Sequence, residues 1–135
     1  PPRPDPGSDP NFAVPSRPWD RRRANFGSDP LRIADVRTHV LEAPLTEPFH
    51  WSFNGTRTRA ACLVEIVADD GTVGWGECFG PAPLNAAIVQ AYAARLVGRD
   101  ALATEAIWED LYGAYRDQGQ KGLAISALWG VDIAL

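Results

Sequence analysis

The sequence predicts an α+β fold: a three-stranded antiparallel meander followed by helices, behind a leader that belongs to neither. Three observations carry that expectation. From Leu31 to Cys78, apolar and β-branched residues alternate in runs broken by an Asp-Gly turn. From Pro81 to Leu135, apolar residues recur at three- and four-residue spacing. Before Leu31 there is no period at all, and eight of the twelve prolines fall there with five Arg and four Asp.

Residues 1–30 therefore read as a Pro/Arg/Asp-rich leader whose composition cannot bury enough apolar surface to offset its ordering entropy, which predicts disorder. The first strand runs Ile33-Ala34-Asp35-Val36-Arg37-Thr38-His39-Val40-Leu41 and is limited by Pro44. Leu45 to Thr58 reads as a loop carrying three exposed aromatics, Phe49, Trp51 and Phe53. Ala60 to Ala68 is the second strand, Asp69-Asp70-Gly71-Thr72 the turn, and Val73 to Cys78 the return strand. A two-residue loop at Asp70-Gly71 is the expectation. It sets Cys62 opposite Phe79 and sends Glu65 and Glu77 to opposite faces, which disfavours a carboxylate dyad and a disulfide. A three-residue loop with a bulge is the alternative, and it sets the two cysteines opposite each other.

Pro81-Ala82-Pro83 suits a first helical turn, and Leu84, Ile88, Ala91/Tyr92, Arg95 and Leu96 follow at helical spacing until Gly98. A second helix starts near Ala103 with Ile107, Trp108, Leu111 and Tyr115 on one face, and Asp117-Gln118-Gly119-Gln120 breaks it. A third begins near Gly122 with Ala124, Ala127/Leu128, Val131 and Leu135 in step. Its last residues lack a C-cap glycine, a basic residue and a following proline, so the helix is expected to continue or to dock on a partner surface. The organisation is leader 1–30, α+β domain 31–120 and final helix 121–135.

The 135 residues carry net charge −4 and are too few for a complete TIM barrel of about 250 residues. The apolar stretches fall far below the roughly 20 residues of a membrane-spanning helix. No secretory or organelle signal is legible, and two cysteines make no disulfide framework, so a cytoplasmic location is expected. Metal binding has no support in the spacing of His, Cys and carboxylates. Gly74, Gly76 and Gly80 lie in and after a hairpin strand, the wrong context for a dinucleotide fingerprint. His39 and His50 are the only histidines, and His50 stands in the aromatic loop where a ligand contact is expected. Taken alone, these residues contain no catalytic set.

The order of features carries a resemblance. Strand, aromatic loop, strand, Asp-Asp-Gly turn and Gly74-Trp75-Gly76-Glu77 are followed by Asp117-Gln118-Gly119-Gln120-Lys121-Gly122 and Ala127-Leu128-Trp129-Gly130-Val131-Asp132-Ile133-Ala134-Leu135. From Ile33 to Leu135 this resembles the N-terminal capping domain of the enolase superfamily, mandelate racemase/muconate lactonizing group. The resemblance implies a longer parent whose C-terminal barrel, absent here, holds the magnesium ligands and the acid–base residues. In that parent the reaction starts by removing the proton α to a carboxylate. It further implies an acid sugar or its lactone as substrate, a cycloisomerase or dehydratase reaction, and a homo-oligomeric parent. No cofactor is expected in this chain, and no nucleic-acid or membrane partner.

Two segments would then close over the barrel mouth, Leu45–Arg59 and Phe79–Asn85, with Phe49, His50, Trp51, Phe53, Arg57 and Phe79 as the substrate-contacting residues. Arg59 is a further candidate beside Arg57. Trp75, Trp108 and Trp129 are expected in the core or against the barrel. The alternative from another class is a free-standing module that binds a ligand or protein through the aromatic loop. A weaker third reading, nucleic-acid binding by the arginine leader, runs against the net charge.

Overall fold

The computed structural model describes residues 30–118 and 121–135. The predicted leader, with Trp19, Phe26 and the arginine run, and the break at 119–120 lie outside the described residues. The described part is a three-stranded antiparallel sheet in the order β1-β2-β3, followed by three α-helices. The strands are β1 (Ile33–Trp51), β2 (Asn54–Ala68) and β3 (Val73–Cys78). The helices are α1 (Ala82–Leu96), α2 (Thr104–Ala114) and α3 (Leu123–Ala134), with a 3₁₀ turn at Arg116–Gln118. The predicted α+β class holds.

Alternation decides which face of the sheet is covered. Along β2, Cys62, Val64, Ile66 and Ala68 are buried, and the residues between them are not. Helices α1 and α3 lie on that face, and α2 reaches the core through Ile107 and Leu111. Each fully buried aliphatic side chain such as Ile107, Leu111 or Leu128 contributes about 1.5–3 kcal/mol of transfer free energy.

The helix α3 can lie flat on β3 because both surfaces are stripped to backbone at the crossing. A Cβ at Gly76 would collide with the Gly130 carbonyl, and one at Gly130 with the Cys78 Sγ. The repeated glycines of Gly74-Trp75-Gly76 are thus a docking surface for a helix, not a phosphate loop. At the other end, the start of β1 is stitched to the α1–α2 connection. Ile33 N–H donates to Arg99 O at 2.8 Å, and Ala101 N–H donates to Leu31 O at 2.7 Å.

Three sequence expectations are corrected. First, the hairpin loop has three residues. Val67 pairs with Val73, Gly71 takes φ +87°, and its N–H donates to Ala68 O, the turn-plus-bulge form of an Asp-Gly hairpin. The resulting register sets Cys62 opposite Cys78 and brings Glu65 and Glu77 to the same face. Second, Pro44 does not end the first strand. β1 is an edge, where a missing N–H costs no ladder bond, and an irregularity between Pro44 and Phe49 accommodates Pro48. Third, the buried stripe of α1 is Ala82, Asn85, Val89, Tyr92 and Leu96: Tyr92 and Leu96 are buried as expected, but in the first two turns Asn85 and Val89 take the inward positions expected of Leu84 and Ile88, and Leu84 is exposed.

Candidate functional site: an exposed hairpin arm and the turn before α1

Beyond Ala61, strands β1 and β2 run on without β3, which ends opposite Cys62. What projects is a two-stranded arm, paired Phe49↔Thr56, His50↔Gly55 and Trp51↔Asn54, where the sequence suggested a loop. Thr56 and Thr58 extend the β-branched texture of β2 into it, and Thr56 Oγ1 donates to Thr58 O at 2.7 Å. The arm tip stands well clear of the sheet. Phe49 lies opposite Thr56, six residues beyond Cys62, or about 20 Å at strand rise.

The arm has two different faces. Phe49 and Trp51 share one, with ring centroids 6.0 Å apart. His50 packs over Gly55 on the other, and Arg57 and Arg59 follow Gly55 at two-residue spacing on that side. Phe53 sits in the tip turn and is 98% exposed. Trp51 and Phe53 are exposed, as the sequence suggested. Of the six expected contact residues, the arm carries five, split between its faces, and Phe79 stands apart.

Phe79 is 77% exposed at the end of β3. Its carbonyl accepts a hydrogen bond at 3.0 Å from Nδ2 of Asn85, which is fully buried in the first turn of α1. Gly80, between them, takes φ +103°. Sequence reasoning passed over Asn85 because a polar residue breaks an apolar stripe. The signal that marks it is its position in step with Val89, Tyr92 and Leu96.

On the uncovered face of the sheet, His39 finds a partner. Its Nε2 lies 2.7 Å from Glu65 Oε2, and Arg37 Nη1 stands 3.4 Å from the other carboxylate oxygen. Trp75, opposite Glu65, tilts against the His39 ring at 5.2 Å and is half exposed, so it is not a core residue. Trp108 stacks on Tyr112 at 4.8 Å, and Trp129 is half exposed on α3. Glu77 shares this face with Glu65 but lies diagonal to it, and the two make no acid–base pair with a common partner.

The two thiols are free and buried. Burial pushes the Cys78 thiol up to about 12 from an ordinary 9.0, with Cys62 beside it adding to the shift, and burial raises Cys62 as well. Neither is a nucleophile at neutral pH. Among the described residues no three His, Cys, Asp or Glu come together as a metal site. The arrangement can present apolar and basic side chains to another surface and shield what lies beneath.

Residues 33–135 match the family described as mandelate racemase / muconate lactonizing enzyme, N-terminal domain. The chain belongs to this family. The N-terminal domain is 57% identical over 105 residues to D-galactarolactone cycloisomerase of Agrobacterium fabrum (strain C58 / ATCC 33970), covering 78% of this chain and 28% of that protein. It spans little more than a quarter of that relative's length. The crystal structure of 3,6-anhydro-D-galactonate cycloisomerase from Zobellia galactanivorans superposes with a TM-score of 0.67 at 29% identity, over 76% of this chain and 26% of that one. L-talarate/galactarate dehydratase from Salmonella typhimurium LT2, solved with Mg and L-lyxarohydroxamate, shares the fold at a TM-score of 0.70 and 24% identity, over 78% of this chain and 29% of that one. The enolase-like capping-domain fold expected from the residue order holds for this mandelate racemase/muconate lactonizing domain.

Proposed function

We propose that this domain caps the active site of a longer enzyme that acts on an acid sugar or its lactone as a cycloisomerase or dehydratase. The observation that carries the proposal is the 57% identity to a D-galactarolactone cycloisomerase across 105 residues, a span long enough to include both the arm and the Phe79 turn. The physical form of the arm supports it. Two strands alone bury too little to hold aromatic side chains out in water for their own stability, so the arm is built to meet something else.

In this reading, Phe79 and the tip residue Phe53 supply apolar walls, and the face of the arm that turns inward adds either the apolar pair Phe49 and Trp51 or, from His50 and Arg57, donors for hydroxyls or a distal carboxylate. Closing such a cover excludes water and strengthens every electrostatic interaction beneath it. The described residues do not fit a magnesium site, so the domain's own contribution is binding and shielding. The ion and the groups that move protons belong to the following barrel. Two buried free thiols suit a reducing cytoplasm.

The test compares the longer protein that carries this domain, with magnesium, before and after the tip segment 49–54 is replaced by a two-glycine turn. Loss of the tip raises KM for D-galactarolactone about tenfold or more, because uniform binding contacts and water exclusion go together. An unchanged KM, or turnover by residues 1–135 alone, would falsify the reading. Tight ligand binding by residues 1–135 alone would favour the free-standing module.

A further inference from the structure

We infer that Asn85 is a specificity-positioning residue: it fixes the Phe79 backbone so that the Phe79 ring is presented to the substrate. The inference rests on the capping role proposed above, and it assigns a function to a side chain that never touches the substrate.

The argument starts from a polar residue in the wrong place. Asn85 occupies a core position of α1, in step with Val89, Tyr92 and Leu96, and its side chain is fully buried. An amide placed there for stability would have both of its polar ends bonded. Among the described residues this one has a single partner. Nδ2 donates to Phe79 O at 3.0 Å, while Oδ1 is buried with no hydrogen-bond partner among them. Leu has the same branching and no polar atoms, and would fill the position without an orphaned acceptor. Core stability therefore does not explain Asn85, and its one bond must.

That bond holds a turn with little else to hold it. Phe79 follows the last paired residue of β3, and Gly80 takes φ +103°, a conformation open to glycine and strained for other residues. The ring on one side of the anchored carbonyl is 77% exposed, while Pro81 O on the other side is tied into α1 by Asn85 N–H at 3.1 Å. One residue thus clamps both ends of the Phe79–Pro81 turn, by side chain and by main chain. The retained, half-satisfied amide is the pattern expected where a site is held in place at some cost to the core.

The experiment uses the longer protein that carries this domain, with D-galactarolactone as the probe and four variants: Phe79→Ala, Asn85→Leu, Gly80→Ala and the core control Val89→Ala. Asn85→Leu is expected to keep the wild-type Tm within a few degrees while raising KM about fivefold, with kcat changed about twofold or less. Gly80→Ala, which disturbs the same turn by another route, raises KM in the same direction. Val89→Ala lowers Tm and leaves KM unchanged. If Phe79→Ala leaves KM unchanged, the capping assignment of Phe79 fails, whatever Asn85 does. If Phe79→Ala raises KM but Asn85→Leu does not, or if Asn85→Leu loses stability or fails to fold, Asn85 is a structural residue and the inference is overturned.

Discussion

The cysteine pair shows how one residue of loop length propagates. With three residues in the hairpin, Cys62 faces Cys78, yet facing is not bridging. The bond from Ala68 N–H to Thr72 O sets the phase of the ladder, so the even-numbered residues of β2 make the hydrogen-bonded pairs, the Cys62–Cys78 pair among them. In such pairs the Cβ atoms stand farther apart than the roughly 3.8 Å of a relaxed disulfide. Both thiols are therefore expected to resist alkylation in the native state and to react on unfolding, as mass spectrometry after an iodoacetamide pulse would show. Their titration adds a pH dependence. Cys78 is raised to about 12 from 9.0 and Tyr92 to about 12 from 10.0, both chiefly by burial. The folded state holds these protons where the unfolded chain releases them. The stabilisation is complete below about pH 9 and falls as pH climbs toward 12. Denaturation midpoints measured from pH 7 to 10.5 should stay level and then drop, and a rise above pH 9 would contradict this account.

At the scale of elements, the close crossing of α3 on β3 is the least tolerant contact. Gly130→Ala drives a methyl group into the Cys78 Sγ and should cost about 1–3 kcal/mol through overpacking, read from urea denaturation. The arm is the opposite case. Hydrogen exchange should be fast at residues 54–60 of β2 and slow at residues 62–68 of the same strand, because only the latter lie between two strands and beneath helices. How legible these elements were depends on what marked them. The helices and the β2–β3 hairpin were readable because periodicity and Asp-Gly are local signals. The arm was not, because Pro44 reads as a stop in an isolated chain and Pro48 follows it. They are harmless on an edge strand, and edge status is a property of the sheet. The rotation of α1 was hidden by Asn85, the one buried position of that helix without an apolar or aromatic side chain.

Across the described residues, the core sits on one side of the sheet, and Phe49, Trp51 and Phe53 stand at the far end of the arm. Leu128→Ala, fully within the core, should cost about 2–5 kcal/mol, whereas Trp75→Ala on the uncovered face should fall within about 1 kcal/mol, both measured by thermal unfolding. The site was legible in part. The residues of the arm were named from their types and the family resemblance together, but their division between two faces was not, because alternation starts only once the segment is known to be a strand. That division has a genetic consequence. A two-stranded ribbon presses only one side against a given surface, so Phe49 with Trp51 and His50 with Arg57 form two exclusive groups. Substitutions within the group that meets the substrate should be non-additive with one another. Substitutions in the other group should be silent, so a pairwise cycle of four alanine variants would reveal which way up the arm lies.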